Sequence, residues 1–359
     1  IEHDTSLYVL FVDLQKAYDS IPRTALWSVL DRLGVPPVML GLIKSLHEGM
    51  IAKVRVNGKL SDNISVTNGL RQGCTLAPTL FNLYFSVVVA DWRARCPDAG
   101  VDLLFRNGRK LVGDRTAKSR LSATRVTESQ FADDAALYAT TRERFECMTS
   151  EFILCAQRWG LTVSIRKTKG MAVGQPTSVD PVQLGGDSRI DMVDGFRYLG
   201  SVLSADGTVD ADLAARLAQA SRLFDVLRSP IFQCVHLSVH TKRLVYRAIV
   251  LPALLYGAET WPIKAGHIRR LNTFHHQCIR TILGISRREQ WEERLSSASL
   301  SELAGVDVDM ADVIRKHRLR WLGHVARMKE TRLPKQMLFG ELPCKRPQHG
   351  PKKRWRDVV

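Results

Sequence analysis

The sequence predicts an α+β first part and a nearly all-helical second part, with the change near residue 205. Three observations carry that expectation. Leu7-Tyr8-Val9-Leu10-Phe11-Val12 is a continuous apolar, β-rich run, the pattern of a strand buried on both faces. Around Asp133-Asp134, the short apolar runs Phe131-Ala132 and Ala135-Leu137 read as a β-hairpin whose tight turn carries the two carboxylates. From about Asp210 onward the apolar spacing is helical, roughly over 210–228, 238–257 with a kink near Pro252, 264–284 and 309–328.

The intervening elements follow from their punctuation. Pro22 starts a helix with Leu26, Val29, Leu30 and Leu33 on one face, stopped by Gly34, and Pro36 to Gly49 reads as a second helix. Asn57-Gly58, between Ala52–Val56 and Leu60–Val66, is the strongest short hairpin signal in the chain. Pro78 opens a helix carrying Leu80, Phe81, Leu83, Tyr84 and Val87. Arg106 to Arg125 is a basic, irregular insertion, either a solvated loop or a polyanion contact. Thr141 is an N-cap, followed at helical spacing by Phe145, Met148, Phe152, Cys155 and Trp159 and ended by Gly160. Leu161–Ile165 reads as a short strand, and Gly195–Leu203 as a β-turn-β unit.

Composition narrows the function classes. A chain of 359 residues with 45% hydrophobic content folds, with room for two or three domains. A net charge of +16 points to a polyanionic partner. An anionic membrane is the competing partner, but the most apolar stretch, Ala248 to Ala258, is too short to cross a bilayer and contains Pro252. The seven cysteines are scattered without a Cys-x-x-Cys pair, which favours reduced thiols in an intracellular compartment over disulfides or zinc. Toward the C-terminus, Arg318, Arg320, Lys352, Lys353 and Arg354 interleave with Trp321 and Trp355. Cations for phosphates beside aromatic faces for bases suit nucleic acid; a solvated helix face with Trp in the core is the alternative.

Three groups of residues carry chemistry. Asp13 stands at the exit of the first buried strand. Gly69 and Gly73 permit close backbone approach, with the donors Arg71 and Gln72 between them. Asp133-Asp134 alone would be a solvated turn, but two adjacent carboxylates repel, and a multivalent cation held by hard oxygen ligands offsets that cost.

In order, Phe11-Val12-Asp13-x4-Tyr18-Asp19, Asn68-Gly69-Leu70-Arg71-Gln72-Gly73-x4-Pro78-x2-Phe81-Asn82 and Phe131-Ala132-Asp133-Asp134 resemble polymerase motifs A, B and C of the reverse transcriptases of non-LTR (LINE-type) retrotransposons. Gly160-Leu161 with Lys167-Thr168 resembles motif D, and Phe196-x-Tyr198-Leu199-Gly200 resembles motif E, the primer grip. Leu251-Pro252-x3-Tyr256-Gly257-Ala258-Glu259-Thr260-Trp261 and Arg320-Trp321-Leu322-Gly323-His324-Val325 resemble the thumb and C-terminal region of these elements.

The resemblance implies a right-hand polymerase: a ferredoxin-like palm with partial fingers over 1–204, a helical thumb over 205–300 and a basic nucleic-acid-binding region over 301–359. It implies RNA-directed DNA synthesis on an RNA template from a DNA primer or target, with dNTPs as substrates. Asp13 and Asp133 would hold two Mg²⁺ ions about 4 Å apart (Mn²⁺ being an alternative), with Asp134 as a secondary ligand or orienting group. Tyr18 would exclude a ribose 2′-hydroxyl, Arg71, Gln72 and Gly73 would line the nucleotide pocket, and Lys167 would be the acid for pyrophosphate. The family setting is a ribonucleoprotein of nucleus and cytoplasm, away from membranes; oligomeric state is left open. Ser164 stands where relatives usually have Asn, and the fingers and endonuclease that precede motif A in the family are not in this sequence. The alternative reading is therefore a truncated, inactive remnant that only binds nucleic acid. An RNA-templated RNA polymerase shares the palm logic, but Tyr18 argues against it.

Overall fold

A computed structural model of the chain describes residues 6–71, 73–106, 121–174, 180–185, 188–306, 309–340 and Trp355. Gln72, Lys352, Lys353, Arg354 and most of the basic insertion lie outside the described residues. The described residues fall into two compact units, one within Thr5–Asp102 and Thr124–Asp194, the other within Leu103–Ala123 and Gly195–Val359.

The first unit is built on strand β1 (Leu7–Val12), whose last five residues are all buried. Helix α1 (Arg23–Arg32) and helix α2 (Ala77–Arg95) follow, then β2 (Glu128–Phe131), β3 (Asp134–Ala139), helix α3 (Arg142–Arg158) and β4 (Lys169–Val173). The sheet order is β4-β1-β3-β2, and every neighbouring pair is antiparallel. A β-α-β-β-α-β succession in that order is the ferredoxin-like arrangement expected from the sequence.

One sheet face, with Leu10, Val12, Ala135 and Leu137, packs against Phe81, Tyr84, Val88 and Trp92 of α2 and Phe145, Met148 and Phe152 of α3. Each large side chain so buried contributes roughly 1.5–3 kcal/mol. Polar ties fix the two helices: Trp92 Nε1 donates to the Met148 carbonyl at 3.2 Å, and Trp159 Nε1 donates to Asp91 Oδ2 at 3.0 Å. The Thr141 cap forms as expected, its hydroxyl accepting from the Arg144 N–H. Asn57 and Gly58 both take positive φ, 49° and 77°, in the hairpin their sequence predicts.

Several local expectations need correction. The tight turn of the acidic hairpin is Ala132-Asp133, closed by the pair Phe131 and Asp134, so only one of the two carboxylates is in the turn and the other begins β3. Leu161–Ile165 forms a single bridge, Val163 to Leu14, because the segment breaks into a turn after Ser164. The true edge strand is Lys169–Val173, hidden in the sequence by Gly170. That glycine is required: a Cβ there would land on Met192 Sδ and Phe145. The end of the insertion read as irregular, residues 121–125, belongs to a strand, Leu121–Val126.

In the second unit, β5 (Gly195–Tyr198) and β6 (Ser201–Ser204) make a hairpin through Leu199 and Gly200, at φ 47° and 85°. Helix α4 (Asp210–Leu227), helix α5 (Ala265–Leu283), helix α6 (Arg287–Glu292) and helix α7 (Met310–Arg327) are its main helices. The stretch expected as one kinked helix is broken into Val239–Val245, a π turn at Tyr246–Val250 and Leu251–Leu254. Pro252 has no N–H for the preceding turn, and the Leu251 N–H reaches back to the Tyr246 carbonyl, which widens the helix there. Leu213, Phe224, Phe232, Tyr246, Trp261, Leu271 and Ile314 share the core of this unit. No described helix is long and apolar enough to cross a membrane.

Candidate active site

The sheet brings the three carboxylates together through its register. Val12 and Ala135 are the last pair of that ladder, so Asp13 follows it on one strand and Asp134 precedes it on the other, with Asp133 next to Asp134 in the turn. Asp13 is held by its backbone. Its N–H donates to the hydroxyl of Thr168, which is fully buried, and its carbonyl accepts from the Ser164 N–H at 2.8 Å. Ser164 acts here through its main chain, so a serine in place of asparagine leaves the anchor intact.

The side-chain electrostatics match that convergence. The carboxyl of Asp134 is raised above its ordinary range, by partial loss of solvent and then by the charges of Asp133 and Asp13. Oδ2 of Asp13 is closed to solvent and has no hydrogen-bond partner. Lys167, in the turn after Ser164, brings its ammonium to 3.5 Å from that same oxygen while remaining largely exposed. Tyr18 stacks on Phe81 at 4.7 Å, and burial together with the charge of Asp133 raises its phenol above the usual value.

The glycine loop is tied to the same place. The Leu70 N–H donates to the Tyr18 carbonyl, and the Gly69 N–H to the Ile21 carbonyl, both at 2.9 Å. Gly69 has φ +77°, and a Cβ there would meet the Asp19 backbone at 2.6 Å. Gly73 also has positive φ, +81°, but faces open space, and Arg71 is exposed beside it. Arg23 is a structural tie that sequence reading missed. Its guanidinium donates to the carbonyls of Gly69 at 2.8 Å, His47 at 2.7 Å and Val66 at 3.1 Å, bracing the loop. No motif marks it; a helix-start arginine looks like any solvated one.

The remaining expected residues lie in the second unit. Phe196, Tyr198, Leu199 and Gly200 form the β5–β6 hairpin, which Asp212 anchors by accepting from the Val202 N–H at 2.9 Å and from Trp261 Nε1 at 2.8 Å. Arg216 donates to the Gly200 carbonyl and lies over the Tyr256 ring at 4.4 Å. The i, i+4 spacing of Asp212 and Arg216 was the available signal for this pair. Arg318, expected to face nucleic acid, is instead buried and donates to the Trp261 carbonyl. Helical periodicity puts it on the core side of α7, against what its charge suggests. Arg320 on the same helix is exposed. Trp355 donates to the Glu259 carbonyl at 2.6 Å.

Among the described residues no three His, Cys, Asp or Glu side chains close into a metal cage. The donor set nevertheless fits a divalent cation of the kind completed by substrate phosphates. It offers hard carboxylate oxygens only, one of them buried without a hydrogen bond, in a cluster whose mutual repulsion is already felt at Asp134.

A ferredoxin-like sheet with carboxylates at the exit of one inner strand and on the adjoining hairpin is the arrangement of a polymerase palm. Residues 1–203 match the family "Reverse transcriptase (RNA-dependent DNA polymerase)". The chain belongs to the reverse transcriptase family, and its relatives include non-LTR retrotransposon polymerases. It is similar to a putative transposon-derived protein of Caenorhabditis elegans, with 26% identity over 215 residues, covering 59% of this chain and 76% of that one. It is similar, too, to the RNA-directed DNA polymerase from mobile element jockey of Drosophila melanogaster, with 25% identity over 283 residues, covering 76% of this chain and 28% of that one. The chain thus spans less than half, between 19% and 43%, of the length of the mobile-element polymerases it matches. Among solved structures, telomerase from Candida albicans in complex with a fragment of telomeric RNA matches at TM-score 0.41 and 13% identity, covering 81% of this chain and 50% of that one. Divalent metal ions and nucleic acid are general requirements of the family.

Proposed function

We propose that this chain carries the polymerase centre of an RNA-directed DNA polymerase from a non-LTR retrotransposon, transferring nucleotides from dNTPs to a primer 3′-hydroxyl on an RNA template. The observation that carries the reading is that Asp13 and Asp134 adjoin the last pair of the β1–β3 ladder, Val12 with Ala135, with Asp133 beside them in the turn and the charges of Asp133 and Asp13 felt at Asp134. These three carboxylates would hold two Mg²⁺ ions. When bound, the ions supply the acidity that activates the primer hydroxyl and the positive charge that offsets the leaving pyrophosphate.

The protein's own groups do the rest. Thr168 and Ser164 fix the Asp13 main chain, so the carboxylate direction is set before substrate arrives. Lys167, beside Asp13, is positioned to donate a proton or a charge to the departing pyrophosphate. Tyr18, braced by Phe81, presents a rigid ring that excludes a 2′-hydroxyl and so selects dNTPs. Arg71, Gln72 and Gly73 line the nucleotide pocket, the open space at Gly73 admitting a base or template backbone. The hairpin of Phe196, Tyr198, Leu199 and Gly200 grips the primer, residues 205–300 act as thumb, and Arg320 with Lys352, Lys353 and Arg354 contacts nucleic acid. A ribonucleoprotein setting in nucleus and cytoplasm accords with that chemistry.

Primer extension on an RNA template with dNTPs and Mg²⁺, beside Asp133→Asn, tests this. Extension that the variant abolishes is expected. Salt-sensitive RNA binding in both proteins with extension in neither, even after upstream sequence of the element is joined to the chain, would favour an inactive nucleic-acid-binding remnant.

A further inference from the structure

A second feature lies wholly within the helical unit. Helices α5 and α6, joined through residues 284–286, border a cleft of about 800 Å³, lined by His276, Arg280, Arg287, Gln290, Trp291 and Arg294 among others. The connection is built rather than loose. Gly284 ends α5 at φ 75°, and Ser286 and Glu289 cap α6 reciprocally, the Ser286 N–H donating to Glu289 Oε2 at 2.7 Å and the Glu289 N–H to Ser286 Oγ at 3.1 Å.

The charge in the cleft is one-sided. Arg280, Arg287 and Arg294 line it, and neither Arg287 nor Arg294 has a carboxylate partner among the described residues. The single acid on the wall, Glu292, is engaged by Arg288 at 2.7 Å. Arg280 leans on a neutral group, its Nη1 donating to Gln290 Oε1 at 3.3 Å, while Gln290 Nε2 donates to the Leu295 carbonyl at 3.1 Å. Burial, and after it the charge of Arg287, depresses the Arg280 guanidinium. Beside them the Trp291 indole is 82% exposed.

We propose that this cleft binds one nucleotide unit of single-stranded nucleic acid, its phosphate on Arg280 and Arg287 and its base against the Trp291 ring. Guanidinium forks match phosphate oxygens, and a flat exposed indole stacks any base without sequence preference. The volume is that of a small-molecule site. An acidic peptide would use the arginines but has no use for the indole face, so the two side-chain types together favour nucleic acid.

The inference concerns binding and does not depend on polymerase activity. Its test is fluorescence anisotropy with a labelled, 5′-phosphorylated tetrathymidylate over a range of salt, on the full chain. Trp291→Ala is expected to weaken binding about 5- to 100-fold, and Trp291→Phe to restore most of it. Arg280→Ala with Arg287→Ala should weaken binding and lower the salt slope by roughly 0.7 for each phosphate no longer neutralised. Asp133→Asn should leave all of this unchanged while abolishing extension, so failure here and failure of the polymerase reading are separable. Affinity and salt slope that match the unmodified chain in both the Trp291→Ala and the double arginine variants would overturn the proposal. So would a pentaglutamate peptide that outcompetes the oligonucleotide.

Discussion

The ammonium of Lys167 lies 3.5 Å from Oδ2 of Asp13, an oxygen closed to solvent and otherwise without a hydrogen-bond partner. Two groups read from separate motifs are thus neighbours, one at the exit of β1 and the other in the turn before β4. Because the lysine side chain is 62% exposed, the pair is a weak stabiliser, and its interest is chemical.

Lys167→Met should therefore change stability by less than about 1 kcal/mol. Its effect on nucleotide incorporation should be far larger, a loss on the order of 10²-fold if the lysine supplies a proton or charge to pyrophosphate. Paired urea denaturation and single-turnover incorporation separate these. A stability loss without a rate loss would leave Lys167 a structural partner of Asp13.

The acidic cluster makes a prediction for the protein in metal-free buffer. Asp134 has its carboxyl raised in the folded state, by loss of solvent and by Asp133 and Asp13, while Lys167 offers the nearby positive charge to Asp13. A folded-state value above the unfolded one means that the ionised form opposes folding, and stability rises as pH falls through the raised value. Asp134→Asn should thus melt slightly higher than the unmodified chain near neutral pH, by about 0.5 kcal/mol or less since the group is solvent-exposed. The two should converge on acidification. A variant that melts lower at neutral pH would mean the ionised carboxylate is favourably held.

Two glycines in the same loop should respond differently. Gly69→Ala combines a positive φ with a Cβ 2.6 Å from the Asp19 backbone, and should cost roughly 2–3 kcal/mol or more. Gly73→Ala carries only the backbone strain, about 1 kcal/mol, because nothing faces it. Its melting should therefore fall less than that of Gly69→Ala, and its KM for dNTP should rise. Equal destabilisation by the two would contradict the packing described.

The hairpin of the second unit rests on one buried carboxylate. Asp212→Ala removes the acceptor for Val202 and Trp261 and leaves Arg216, whose side chain is 6% exposed, without its counter-charge. A loss of about 3–5 kcal/mol is expected, read as a lowered denaturation midpoint. Replacement of both Asp212 and Arg216 by apolar residues should recover part of it.

Much of the fold is legible in the sequence alone. Strand β1, the Thr141 cap, the Asn57-Gly58 hairpin and the buried stripe of α3 are local patterns whose causes lie within a few residues. The order of the ferredoxin-like sheet came through the family resemblance, and its antiparallel registers agree. What escaped were features set by distant partners. Strand β4 pairs with β1 despite Gly170, which Met192 and Phe145 crowd from outside the segment. The kink at Pro252, by contrast, was legible, and only its form as a π turn at Tyr246–Val250 was not. Arg318 shows the limit of charge as a guide, since a buried carbonyl of Trp261 outranks solvent as its partner. Arg23 carried no signal of its own, and Thr168, though part of the motif D resemblance, gave no sign that its hydroxyl would hold the Asp13 main chain.

The central claim is that Asp13 and Asp133 act as one metal-holding unit, and a double-mutant cycle in single-nucleotide incorporation on an RNA template tests it most directly. Groups that act together are strongly non-additive in kinetics. Asp13→Asn and Asp133→Asn should each reduce the rate at least about 10³-fold, and the double variant should fall little further. Two modest losses that multiply in the double variant would contradict a shared centre and assign the two carboxylates independent, lesser roles.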